Sequence, residues 1–585
     1  MYVAIAQVNP TVGALRENAE KALAVINSLA AATYPPDLVV FPAFALTGAP
    51  LGGLVYSDAF AAECLDVAKD FIARSSLPTL IGTVLPRPIE GEFSFFCEPE
   101  VLFCREGKGG ALGFVDTEML VDEDVETASV SIRLEGHDVT ILLDDFPDSA
   151  NELDKTDIVI MMLAKEYQGT NTMFTSSSQL NFLRATAQDY QTCLICANLV
   201  GGQDRSVFDG ASVVIDADGE VICSAVPFKE EVLTCNVIPR DSDWKPTKPK
   251  TQLSTQHDKH TVKPLLPYEA DWRALELALH DYVSKNGFND VVIGLSGGID
   301  SAVVATLAVD ALGAEHVHGI LMPGPYSSEG SVTDARSLAE KLGIQTLMMP
   351  IGEPFESIKQ QFQKATGQEG SSVAIQNLQA RMRMTYLMHL SNSFGWLLIN
   401  TGNKSEAAMG FSTLYGDTAG AFAPLGNIYK TDVYGLASWR NQQKSIIPQT
   451  TLAKAPSAEL YPGQLDSDTL PEYELLDQIL RLHIEDGLGV DQIMEYSGRQ
   501  PEGRALDSTV VSEVLSSVRK AEYKRRQEPL APTLGSEDMG DDRNWPLTNG
   551  FIDHDRNLSR SDDLLAYMGL IYRWDIPGGW DISAN

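Results

Sequence analysis

The chain has 585 residues, 44% hydrophobic and 21% charged, enough for three to four domains or two large ones with more than one sizeable core. That composition excludes a disordered chain, a collagen and a small disulfide scaffold. With 44 basic against 80 acidic residues the net charge is −36, which argues against duplex nucleic acid or an anionic membrane as partner, because neutralising phosphates needs Lys and Arg.

The first residues, Met1-Tyr-Val-Ala-Ile-Ala-Gln-Val8, have no basic segment before their apolar stretch. They read as a buried strand and not as a signal peptide. No apolar run approaches the length of a spanning helix. The 7 Cys are odd in number and all lie at or before Cys235, which does not suit a secreted disulfide framework; the expected compartment is the cytoplasm. Cys193-Leu-Ile-Cys196 has metal-site spacing but sits in an apolar run without a second pair, so buried strand cysteines are expected there.

Buried strands are expected at Val3–Ala6, Leu38–Phe41, Thr79–Val84, Val139–Leu143, Ile158–Met162 and Leu194–Asn198, with a helix at Leu15–Leu29. The stretch from Gly210 to Gly219 reads as a strand and a turn. Together these predict a layered α/β domain over 1–240. A polar, Pro-containing linker is expected over 241–267. A second α/β pattern follows: strands at Val291–Leu295, Val317–Leu321, Leu347–Met349 and Trp396–Asn400, and helices at Ala302–Leu312 and at Val332–Leu342, the latter closed by Gly343. This is the rhythm of a doubly wound parallel sheet. The domain is expected to run from 268 to 550, leaving a tail, 551–585, without assigned structure.

The most informative string is Gly294-Leu295-Ser296-Gly297-Gly298-Ile299-Asp300-Ser301, between a β-branched strand and a helix. Its small residues let backbone amides approach an anion, the helix N-terminus adds positive partial charge, and Asp300 could hold Mg2+ beside that anion. No Gly-Lys-Ser/Thr follows, so this is not a Walker A loop. A Gly-rich turn without a ligand is the bland alternative; the full string in this context argues against it. It resembles the pyrophosphate loop of the ATP-pyrophosphatase superfamily. Members of that group adenylate an oxygen of their substrate and let a nitrogen or sulfur nucleophile displace AMP.

Downstream strings narrow the resemblance. Asn377-Leu-Gln-Ala-Arg381-Met-Arg383 leads, after a helix, to Thr401-Gly-Asn-Lys-Ser-Glu406 and on to Asp417. Then come Lys430-Thr-Asp, Pro456-Ser-Ala-Glu-Leu and Gln464-Leu-Asp-Ser-Asp. The series is similar to NAD synthetase from about Asp271 to Gly550. The resemblance implies ATP contacts from Gly294 through Ser301 and from Thr401. It also implies deamido-NAD+ contacts from Asn377, Arg381, Glu406 and Lys524, and a Mg2+ site at Asp300 and Glu406. Each has a plainer reading: Thr401 as a turn residue, Asn377 as a helix cap, Arg381, Glu406 and Lys524 as solvated charges. The implied chemistry is two-step: the nicotinate carboxylate of deamido-NAD+ is adenylated by ATP with release of pyrophosphate, and ammonia then displaces AMP.

The domain order resembles glutamine-dependent NAD synthetase over nearly the whole chain. This implies an N-terminal nitrilase-like α/β/β/α sandwich and a C-terminal Rossmann-like parallel sheet of the adenine nucleotide α-hydrolase type. In that family the first domain hydrolyses glutamine with a Glu-Lys-Cys triad. Here Phe41-Pro42-Ala43-Phe44 stands where Phe-Pro-Glu-Leu is expected, so Ala43 holds the base position. Leu143, in Val139-Thr-Ile-Leu-Leu143-Asp144-Asp145, holds the nucleophile position. The Lys loop falls near Phe114–Glu123, which contains no Lys and offers Asp116 at most. The expectation is an NAD synthetase with a pseudo-glutaminase domain, using free ammonia or ammonia from a separate glutaminase. A working enzyme with a relocated triad and a non-catalytic scaffold remain as alternatives. By resemblance the protein is a homo-oligomer, a dimer or larger.

Overall fold

The computed structural model describes residues 1–88, 95–112, 129–143, 156–169, 177–238, 265–499 and 506–534. Asp116 and the Phe114–Glu123 loop, Asp144, Asp145, most of the linker and the whole 551–585 tail lie outside them. Among the described residues no helix is long and apolar enough to cross a membrane.

The N-terminal lobe contains β1 (Tyr2–Gln7), α1 (Leu15–Ala30), β2 (Leu38–Val40), α2 (Asp58–Arg74), β3 (Thr79–Pro88), β4 (Phe95–Arg105), β5 (Lys108–Ala111), β6 (Ser129–Leu134), β7 (His137–Leu143), β8 (Ile158–Leu163), α3 (Ser177–Tyr190), β9 (Cys193–Asn198), β10 (Val200–Gln203), β11 (Ser206–Asp209), β12 (Val213–Ile215), β13 (Val221–Ser224) and β14 (Glu231–Asn236). They form two six-stranded sheets, β14-β1-β2-β3-β4-β5 and β13-β12-β9-β8-β7-β6, and the hairpin β10–β11. Strand alternation builds the layers. Val3 and Ile5 join Ile141, Ile158 and Ile160 in the core between the sheets. Ala4 and Ala6 face the other way, onto Leu15, Leu23 and Phe71 of α1 and α2. Val159 and Met161 pack against Leu183 and Ala187 of α3. The result is the expected α/β/β/α sandwich.

One buried acid there is a sensor of the lobe's stability. Asp209 is buried and accepts from Asn198 Nδ2 at 3.2 Å. Burial pushes its carboxyl from 3.8 up to about 7. Between those values the native state keeps a proton that the unfolded chain releases, so this group's contribution falls as pH rises from about 4 to 7. Asp209→Asn is expected to flatten that loss, read as denaturant midpoints at pH 5 and pH 8; an unchanged pH slope would sink the assignment.

The C-terminal lobe begins with α4 (Pro267–Lys285), which starts on the last residue of the expected linker with Pro at the first helical turn. It continues through β15 (Val291–Gly294), α5 (Ile299–Leu312), β16 (Val317–Leu321), α6 (Glu329–Leu342), β17 (Gln345–Met348), α7 (Gly352–Thr366), α8 (Ser372–Phe394), β18 (Leu397–Leu398), α9 (Lys404–Met409), α10 (Lys430–Gln443), α11 (Gln449–Ala453), α12 (Tyr473–Ile484), α13 (Val490–Arg499), α14 (Ser508–Lys520) and α15 (Glu522–Arg525). The sheet is parallel, in the order β17-β16-β15-β18. Val291 and Ile293 pack toward α4, α5 and α10; Val292 and Ile320 pack toward Phe355 of α7 and Leu390 of α8. Gly343 caps α6 in the left-handed conformation, as expected. The order reverses between β15 and β18, which opens a crevice at their carboxyl ends.

The core of this lobe crosses the boundary between the two. Tyr167, Val207 and Phe228 of the first lobe share one apolar cluster with Ala270, Trp272 and Ala278 of α4. Gly202 of β10 lies so close to α4 that an added Cβ would meet Ala278 Cα at 2.8 Å. Asp281 of α4 accepts from Gly202 N at 2.8 Å and from Asn9 Nδ2 at 2.7 Å. Lys285 donates to Gly202 O at 2.8 Å and Asn9 Oδ1 at 2.7 Å. Tyr167 OH donates to Asp271 Oδ1 at 2.7 Å.

Candidate active site

The crevice holds a cavity of about 550 Å3. Its floor is the loop between β15 and α5. Ser296 Oγ and Ser301 Oγ lie 3.0 Å apart, and Gly298 N donates to Ser296 Oγ at 3.2 Å, so the turn is fixed by its own hydroxyls. Gly297 has φ +81°, and an added Cβ would lie 2.2 Å from Ser331 O; only glycine fits there. Gly298 opens α5, so that helix's N-terminal amides border the cavity.

Thr401 lies just past β18 on the same wall. β18 is only Leu397–Leu398, shorter than the Trp396–Asn400 strand expected; Ile399 makes just an isolated bridge to Phe422. Asn403 caps α9 by accepting from Glu406 N at 3.0 Å, and its Nδ2 donates to Asp300 Oδ1 at 3.0 Å. Lys430, at the start of α10, donates to Asp300 Oδ2 at 2.5 Å and Glu406 Oε1 at 3.1 Å. Burial raises the Glu406 carboxyl; Asp300 and Asp466 push the same way, while Lys430 opposes them. Burial by itself would lower the Lys430 ammonium, but its two carboxylate partners outweigh that and hold it above its ordinary range. Tyr473 OH donates to Asp466 Oδ2 at 2.9 Å, while Asp466 Oδ1 is buried without a hydrogen-bond partner among the described residues.

These oxygens suit a magnesium ion. They are hard donors beside a loop that can hold phosphates, and one of them is an orphaned, buried carboxylate oxygen on the cavity wall. Among the described residues no group of three or more His, Cys, Asp or Glu converges to hold a metal. The chain's share would therefore be one or two carboxylates, with phosphates and water completing the shell.

The loop residues, Thr401 and Glu406 thus meet at one cavity. Asn377, Arg381 and Lys524 meet elsewhere, on the segment behind the cavity wall. Asn377 Oδ1 accepts from Thr413 Oγ1 at 2.9 Å, Arg381 Nε donates to Leu414 O at 3.0 Å, and Lys524 Nζ donates to Gly410 O at 2.6 Å and Ser412 O at 2.7 Å. Asn377 and both arginines lie inside α8, whereas the sequence placed them ahead of a helix. On that helix Arg383 faces the cavity and donates to Met322 O at 3.1 Å. The sequence marks Arg383, with Arg381, as a cation for two anionic substrates, leaves Lys454 unmarked, and carries Lys430, Glu459 and Asp466 only inside longer strings. The only local signal was that Lys430, Glu459 and Asp466 sit in strings of the resemblance.

In the first lobe, Ala43 is fully buried in the core between the sheets, and Leu143 packs against the same cluster. All seven cysteines are free and buried. Burial pushes the thiols of Cys193 and Cys196 up to about 11 and about 12. The expectation of buried strand cysteines in β9 holds.

The model for the NAD synthase family matches residues 271–528. The chain is 37% identical to the glutamine-dependent NAD(+) synthetase of Thermotoga maritima, over 94% of this chain and 99% of that one. It is 35% identical to that of Aquifex aeolicus, over 94% and 100%. The solved glutamine-dependent NAD+ synthetase of Acinetobacter baumannii, in complex with adenosine diphosphate, superposes with a TM-score of 0.67 at 28% identity, covering 95% of this chain and 99% of that one. The fold, a nitrilase-like sandwich ahead of a parallel sheet with a glycine loop, is that of a two-lobed nucleotide-dependent synthetase. More narrowly, the chain belongs to the family of glutamine-dependent NAD(+) synthetases.

Proposed function

We propose that this chain converts deamido-NAD+ to NAD+ at the expense of ATP, and that its nitrogen donor is ammonia. The amides of Ser296–Ser301 and the N-terminus of α5 hold the triphosphate and stabilise the departing pyrophosphate. Thr401 contacts the adenine nucleotide. Lys430 keeps Asp300 and Glu406 in place beside it. A magnesium ion, when bound at Asp300 and Glu406, would neutralise charge on the phosphates. Asn377, Arg381, Glu406 and Lys524 serve deamido-NAD+, the first, second and last through the 410–414 segment that they brace. The acyl-adenylate is then open to ammonia and must be shielded from water.

The donor assignment rests on one observation: Ala43 and Leu143 belong to one apolar cluster. Neither can move a proton or attack an amide. A relocated thiol finds no support, since every cysteine is buried and an un-ionised thiol is a poor nucleophile. The relatives are named for glutamine, and the residues at these two positions are where this chain parts from that name. The first lobe, 1–240, is on this reading a pseudo-glutaminase, with ammonia arriving free or from a separate glutaminase, and the protein is a homo-oligomer in the cytoplasm. The test is NAD+ formation from deamido-NAD+, ATP and Mg2+ with ammonium chloride or with glutamine. Turnover is expected with ammonium, and only background with glutamine. Equal rates with glutamine, in assays free of ammonia, would overturn the donor; no NAD+ with either would overturn the synthetase reading.

A further inference from the structure

The first lobe keeps one element inside the other lobe's cavity. The hairpin β10–β11 turns through two residues, Asp204 and Arg205, with Asp204 at φ +52°. Arg205 lines the same cavity as Ser296, Asp300 and Lys430. Its carbonyl accepts from Thr533 N at 2.9 Å, on the segment whose Leu530 and Ala531 continue the cavity wall. The hairpin cannot drift. Gly202 is pressed on Ala278, Asp281 and Lys285 bind its backbone, and Ser206 Oγ donates to Glu166 Oε1 at 2.6 Å.

Among the described residues five basic ones border this cavity. Lys430 faces Asp300 and Glu406, Lys454 faces Glu459, Arg525 faces Glu522, and Arg383 donates to a backbone carbonyl. Arg205 has interactions of its own as well, and it is the one of the five that arrives from the other lobe. In a chain of net charge −36, an arginine that lines this cavity from a braced hairpin brings planar donors, which match a phosphate better than an ammonium does.

We infer that Arg205 binds a phosphate group of a nucleotide substrate, so that the N-terminal lobe completes the synthetase site even without glutaminase chemistry. The inference rests on the proposed NAD+ synthetase reaction. The two sources of that phosphate, ATP and deamido-NAD+, are separated by the test.

Steady-state rates with ammonium are measured for the native chain, Arg205→Ala, Arg205→Lys and the surface control Arg184→Ala, each checked for an unchanged melting temperature. Arg205→Ala is expected to raise one nucleotide's KM about tenfold with little change in kcat, and Arg205→Lys to recover part of that. Arg184→Ala is expected to match the native chain. A rise for ATP alone places the guanidinium on the triphosphate; a rise for deamido-NAD+ alone places it on that pyrophosphate. Unchanged KM for both overturns the inference. Should the native chain form no NAD+ at all, the proposed function fails first, and calorimetric binding of each nucleotide to the native chain and Arg205→Ala decides on Arg205 separately, with equal affinities overturning it.

Discussion

Lys430→Met is expected to lower kcat/KM with ammonium about a thousandfold and stability by about 3 kcal/mol. Lys430 is 3% exposed and sits between Asp300 and Glu406. Methionine fills its volume but carries no charge. Two carboxylates would then face each other, and Asp466, in a low-dielectric wall, with no cation between them. Among the described residues the Asn403 amide would be left as the hydrogen-bond donor to Asp300, and its carboxylate would no longer be aimed beside the loop. The check is a denaturant titration beside the ammonium assay. Activity within tenfold of the native chain would reduce Lys430 to a structural ion pair.

Gly297→Ala is expected to weaken ATP binding a hundredfold or more, while Gly298→Ala costs far less. The contrast comes from geometry. At Gly297 the backbone is left-handed and the new Cβ would strike Ser331 O at 2.2 Å. Ser331 cannot yield easily: its N–H is capped by Ser328 Oγ at 3.1 Å and its own hydroxyl donates to Glu459 at 2.7 Å. At Gly298 φ is −85° and the nearest atom is Ser296 Oγ at 3.3 Å. Calorimetric titration of ATP into both variants distinguishes them; equal losses would mean that the loop adapts.

The parallel strands were legible because strands buried on both faces read as unbroken apolar runs: β1, β7, β8, β9, β15 and β16 lie where those runs are. The edge strands β5 and β6 of the first lobe were not. β5 is exposed throughout and β6 is largely half-buried or exposed, so neither shows such a run. α8 hid for a related reason. Only Gln379, Ala380, Met382 and Leu390 of its 23 residues are buried, too few for a helical stripe. At the site, the Gly294–Ser301 loop could be read because its chemistry is contiguous. Lys430, Asp466 and Arg205 could not, because each gains meaning only from residues far away in the chain.

The apolar cluster that joins α4 to Tyr167, Val207 and Phe228 makes the two lobes one thermodynamic unit. Neither can melt without exposing the other's flank, so calorimetry should record a single cooperative endotherm and not two. Trimming the gene to the catalytic lobe would leave that flank of α4 wet. Selection on the folding of one lobe therefore also acts on the other, whatever chemistry each performs.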